Sequence, residues 1–116
     1  MGHAMNESTR FDAFRSLALN EDLAGMGLML AEGFDVNMPN DAHETALIHC
    51  CANNRLRSAR FLAGRGANLN LPDAGGGTPM DYAVRHASRE FQDWLSRVGG
   101  RRHSSSVGYS QPSAPD

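Results

Sequence analysis

An all-α solenoid of stacked helix–turn–helix units is predicted from three features of this 116-residue chain. Gly33, Gly66 and Gly99 fall 33 residues apart, Thr45 recurs as Thr78, and Asp35-Val36-Asn37 recurs as Asn68-Leu69-Asn70. A fixed period of this length marks one supersecondary unit stacked on copies of itself, because a lone helix pair cannot bury its apolar face. About three units are needed for independent stability, and three fit, over about 6–38, 39–71 and 72–100. Residues 1–4 read as a cloning scar before a start at Met5, and 101–116 as a polar, flexible tail.

The first helix of each unit starts, in register, at Asp12-Ala13-Phe14, Thr45-Ala46-Leu47 and Thr78-Pro79-Met80. Thr and Asp cap helices well because a side-chain oxygen accepts from an orphaned backbone N–H, and Pro79 suits the first helical position, where no N–H is needed. Apolar or small residues then recur at i, i+3 and i+4: Phe14, Leu17 and Ala18, then Leu47, Cys50 and Cys51, then Met80, Ala83 and Val84. That spacing places each set on one buried stripe. Breaks at Asn20-Glu21, Asn53-Asn54 and Ala87-Ser88 precede second helices, whose buried sets are Leu23, Met26, Met29 and Leu30, then Leu56, Ala59, Leu62 and Ala63, then Phe91, Trp94 and Leu95. Arg89, Gln92 and Ser96 stand where earlier units are apolar, as in a polar cap that closes a stack. Gly33 and Gly66 end their helices, where a left-handed residue costs glycine least. The Asn, Asp, Pro and Gly of 36–41 and 69–77 predict hairpin-like loops, or fingers, on one side of the stack.

These units resemble ankyrin repeats, whose pattern runs Thr-Pro-Leu-His-x-Ala, a helical pair, Gly-Ala-Asp-Val-Asn and then Asp-x-x-Gly. Thr45-Ala46-Leu47, Gly66-Ala67-Asn68-Leu69-Asn70, Asp73, Gly76 and Thr78-Pro79-Met80-Asp81 stand in the matching places, and the resemblance runs from about Phe11 to Gly100. The family histidine position holds Arg15, Ile48 and Asp81, with His49 one residue late, and Glu21-Asp22, Asn54-Arg55 and Ala87-Ser88 replace the Gly-His pair between helices. Weaker local stability than in consensus repeats is therefore expected. Asn37 and Asn70 stand at a position that is hydroxylated in some animal ankyrin proteins; the reading favoured for them is a side chain bonded to the backbone of its own turn.

A formal charge of -2 argues against nucleic acid or an anionic membrane surface as the main partner, although arginines gather in 55–65 and 85–102. There is no run of apolar residues long enough to span a bilayer and no secretory leader, so a cytoplasmic location is expected, with delivery into a host cytosol as a variant. All eleven Lys+Arg residues are arginine. That fits a GC-rich bacterial genome, or selection against lysine acceptors of ubiquitin in a secreted effector.

Enzymatic readings find little support in the residues. His49, Cys50 and Cys51 are consecutive, so on a helix they point about 100° apart and cannot converge on one ion. Adjacent cysteines also make a poor disulfide, which fits a reducing compartment; buried packing is expected of both, with a thiol catalyst at Cys50 as the alternative. Gly75-Gly76-Gly77 is followed by no lysine, as a phosphate-cradling loop requires. The acid pairs Glu32 with Asp35 and Asp41 with Glu44 read as solvated loop charges. No catalytic residue, metal, cofactor or small-molecule substrate is expected.

The resemblance instead implies another protein as partner, held on a concave face of finger tips and first helices. Its candidate residues are Phe11, Asp41 and Glu44 on or beside the fingers, and Asn20, Asn53, Arg85 and His86 at the helix ends. Phe11, Asn53, Arg85 and His86 are the expected anchors, since aromatic and arginine side chains dominate binding hot spots. Two roles suit such a non-enzymatic module: an immunity-type inhibitor of a toxin or enzyme, and a secreted effector that engages a host protein.

Overall fold

The computed structural model describes residues 6–103. The expected scar at 1–4 and the tail from Ser104 onward lie outside the described residues. Among those described, the chain forms six helices and no strand: α1 (Glu7–Leu19), α2 (Leu23–Ala31), α3 (Ala46–Ala52), α4 (Leu56–Gly64), α5 (Pro79–His86) and α6 (Arg89–Arg97). No helix among the described residues is long and apolar enough to cross a membrane.

Capping explains where the helices begin. Thr45 accepts the Ile48 N–H through Oγ1 at 3.4 Å. Thr78 accepts that of Asp81 at 3.3 Å while Asp81 Oδ2 accepts the Thr78 N–H at 2.9 Å, a reciprocal box that satisfies two orphan donors. Ile48 stands in the place of Asp81 in the second unit, so that cap is one-sided. In the first unit the expected start at Asp12 is displaced to Glu7, because Asn6 Oδ1 caps the Thr9 N–H at 2.7 Å and the helix runs on through Asp12. At the other ends Gly33, Gly66 and Gly99 all take the left-handed conformation, with φ of 102, 91 and 113°.

The first helices α1, α3 and α5 pack closely in a row, each with its own second helix behind it, while second helices of neighbouring units approach one another much less. A row tighter on one side than the other curves toward that side. The core lies between the layers: Phe14, Ala18, Met26, Leu47, Cys50, Cys51, Ala59, Leu62, Ala83, Phe91 and Leu95 are buried, and Phe14 meets Phe34 at 4.6 Å between ring centroids. Val84 departs from expectation. It is 38% exposed, although its counterpart Cys51, 33 residues earlier, is fully buried beneath the third unit.

Hydrogen bonds in the loops repeat at the sequence period. Asn40 Oδ1 accepts the N–H groups of Ala42 and Glu44, and Asp73 Oδ1 accepts those of Gly75 and Gly77, so each finger is wound round one side chain. The Ala74 N–H then donates to the Ala42 carbonyl and joins finger to finger. Asn37 and Asn70 do not bond their own turns, as expected from sequence, but reach forward by one unit. Asn37 Oδ1 accepts the Asn68 N–H and Asn70 Oδ1 accepts the Arg101 N–H, both at 2.7 Å. Asn70 Nδ2 also donates to the Gly99 carbonyl. Residues 101–103, assigned by sequence to the flexible tail, thus continue the ladder, with the Arg101 carbonyl accepting from Thr78 Oγ1 and the His103 N–H donating to Asp81 Oδ2. Replacing either asparagine by alanine costs about 1 kcal/mol per bond lost. Asn70→Ala should therefore lower the urea midpoint more than Asn37→Ala, and equal midpoints would contradict the ladder.

Candidate partner-binding face

The frame of the face is rigid where the fingers meet the first helices. The Tyr82 hydroxyl of α5 donates to Asp73 Oδ2, so that the Asp73 carboxylate holds the last finger from both oxygens. This bond, with those from Gly77 and Gly75, outweighs burial and holds the Asp73 carboxyl below its ordinary range; the same bond pushes the Tyr82 hydroxyl up to about 12. Burial alone would raise the Asp81 pKa, but donors from Thr78, His103 and Arg102 overcome it and lower it. The glycine finger consequently has little left to offer an anion. The N–H groups of Gly75, Gly76 and Gly77 all donate to Asp73.

An open pocket of about 340 Å³ lies between this finger and α5, with Asp73, Gly76, Tyr82 and Arg85 in its lining. Arg85 and the adjacent His86 occupy the last turn of α5, where positive charge faces the negative end of the helix dipole. Both are exposed and neither side chain has a partner among the described residues. Asp41, at the tip of the neighbouring finger, is likewise exposed. These three sequence-predicted residues are available to a partner.

The other candidates divide. Asn20 and Asn53, again 33 residues apart, are exposed, but each already turns its Nδ2 onto a carbonyl four residues back, Ser16 and His49, and so closes the end of its helix. Glu44 is not a solvated loop charge. It is half-buried, accepts from Asn40 Nδ2 at 3.0 Å, and places Oε1 3.1 Å from His49 Nε2 without the alignment of a hydrogen bond.

Phe11 must be removed from the face. It is 1% exposed, because the early start of α1 turns it inward against the His49 ring at 5.9 Å, with the Arg15 guanidinium 5.9 Å from its centroid. His49, Tyr82, Arg15 and Asp73 shape this face and were not among the sequence candidates. For His49 and Tyr82 the signal was present, since each follows a capping threonine by four residues on a first helix.

Burial holds the His49 pKa below its ordinary 6.5, with Glu44 opposing and Arg15 assisting. Folded His49 therefore binds protons less readily than unfolded His49, and stability rises with pH in that window. Its contribution is complete above 6.5 and is lost as pH falls through 6.5 toward the folded value. His49→Gln should flatten this part of a plot of urea midpoint against pH; an unchanged slope would contradict the assignment.

Cys50 and Cys51 are unbonded and fully buried. Burial pushes the Cys50 thiol up to about 12 and the Cys51 thiol upward as well, so neither is a reachable thiolate at neutral pH.

A family model for ankyrin repeats in many copies matches residues 29–83. That segment, just under half of the chain, carries ankyrin repeats. An ankyrin repeat protein of Acanthamoeba polyphaga mimivirus is 38% identical over 64 residues, which are 54% of this chain and 16% of that protein. The ankyrin repeat domain of human ASB11 matches with a TM-score of 0.68 at 23% identity, over 76% of this chain and 40% of that one, a likeness of fold. The chain thus spans well under half the length of both. The viral relative lends no support to the bacterial origin suggested by an arginine-only cation content.

Proposed function

We propose that this chain is a non-enzymatic, cytoplasmic module that binds one partner protein across its finger tips and the ends of its first helices. Ankyrin repeats generally mediate protein–protein interaction. The observation that carries the reading here is the pairing of a fixed frame with uncommitted charge: Asp41, Arg85 and His86 are exposed and unpartnered among the described residues, beside fingers whose own polar groups are already satisfied. Side chains held on a pre-organised scaffold lose less freedom on binding, so their contacts convert more fully into affinity.

A pulldown with the purified full chain, repeated with Arg85→Ala/His86→Ala, tests this. A protein retained by the native chain and lost with the double variant supports the face, and a protein retained equally by both refutes it. The identity of the captured protein separates the two narrower roles. An inhibitor would retain a toxin or enzyme whose activity it suppresses on co-expression, and an effector would retain a host protein.

A further inference from the structure

The two ends of the stack are complementary. In the middle unit both faces of α3 are covered: Ala46 and Cys50 on one side, Leu47 and Cys51 on the other, none more than 1% exposed. Their counterparts at the two ends are less completely covered on one side than on the other. In α1, Phe14 and Ala18 are fully buried while Ala13 and Leu17 are only partly so; in α5, Pro79 and Ala83 are buried, while Met80 is 7% and Val84 38% exposed. The less covered side of α1 is therefore the kind of face that α5 turns toward α3, and the less covered side of α5 is the kind of face that α3 turns toward α5.

Surface chemistry agrees with this register. The exposed large hydrophobic residues among those described are Leu28 in the first unit and Val84 and Val98 in the last. An open groove of about 410 Å³ at the last unit is lined by Met80, Val84, Gln92, Ser96, Gly100 and Arg101, among others. Charge differs in sign between the two ends. Residues 6–38 carry Glu7, Asp12, Glu21, Asp22, Glu32 and Asp35 against Arg10 and Arg15, whereas residues 72–103 carry five arginines against Asp73, Asp81, Glu90 and Asp93.

We propose that the chain associates with itself head to tail, the Ala13 and Leu17 face of one copy covering the Met80 and Val84 groove of the next and extending the stack as a fourth unit would. Such a contact is heterologous and does not close on itself, so it gives a growing series of species rather than a single dimer. Opposite charge at the ends makes it stronger at low ionic strength.

Sedimentation equilibrium of the full chain at low salt, from about 10 μM to about 1 mM, covers the affinities of small contacts of this kind. The weight-average mass is expected to climb above the 12.6 kDa of one chain with concentration and to fall on adding salt. Val84→Glu blocks one end and Ala13→Glu the other; each alone should weaken association by at least about tenfold, the loss typical of a central contact residue. Circular dichroism confirms that each remains helical. An equimolar mixture of the two retains one good end on each partner and should yield a 1:1 pair. A mass that stays at 12.6 kDa throughout would overturn the proposal and leave the groove to residues 104–116 or to a different protein. A dimer that persists in either single variant would overturn it too, by placing the contact elsewhere.

Discussion

Phe11→Ala is expected to lower the unfolding free energy by about 3 kcal/mol, the lower end of the range for truncating a buried phenylalanine. The side chain is 1% exposed and closes the top of α1 against His49, so its removal opens a cavity and admits water to the imidazole. In a domain of this size each kcal/mol moves the melting midpoint by about 4–8 °C, giving a fall of at least about 12 °C. Phe11→Leu keeps most of the volume and should lose far less. Differential scanning calorimetry of the two variants checks this. A native midpoint in Phe11→Ala would mean that the ring faces solvent after all, as its register with the second finger led the sequence to suggest.

The second large effect falls on binding and leaves folding almost untouched. Arg85→Glu reverses the charge at the rim of the pocket between the last finger and α5, where the native guanidinium has no partner among the described residues. Losing a central arginine contact costs 2 kcal/mol or more, a fall in affinity of about 30-fold. The effect on stability is limited to the helix dipole, because a negative charge in the last turn of α5 is unfavourable by up to about 1 kcal/mol. Isothermal titration with the captured partner and a thermal melt separate the two quantities. A large drop in melting midpoint would show that Arg85 supports the fold rather than the interface.

The two variants also mark where the sequence was readable. The 33-residue period located every second helix and every terminating glycine, because helix ends and turns depend on local chemistry that each unit repeats: Thr45 and Thr78 cap, and Gly33, Gly66 and Gly99 turn left-handed. Phe11 was misplaced by trusting that period where it fails. Asn6 caps α1 more than a turn ahead of Asp12, so Phe11 joins Phe14 and Ala18 at i, i+3 and i+7 on a buried stripe that the sequence did contain. Val84 was misplaced for the opposite reason. Its stripe is correct, but burial there depends on the helix packed beside it, and α5 is the last of its row among the described residues.

Contacts between units were the least legible. That Asn37 and Asn70 each hold the backbone of the following unit, or that Ser58 Oγ donates to the Ala18 carbonyl forty residues away, depends on the stacking distance and not on neighbours in sequence. The same holds for Glu44. As a loop carboxylate it looked solvated, and only the return of the finger onto α3 brings it beside His49.

The most direct test of a partner gripped by the finger and first-helix face is site-specific photo-crosslinking with the identified partner. A photoreactive phenylalanine replaces Ala42, exposed on the middle finger, in one variant and Arg60, exposed on the second helix of the middle unit, in another. The account predicts a covalent adduct from position 42 and none from position 60. An adduct from position 60 with none from position 42 would place the partner on the opposite side of the stack and contradict it.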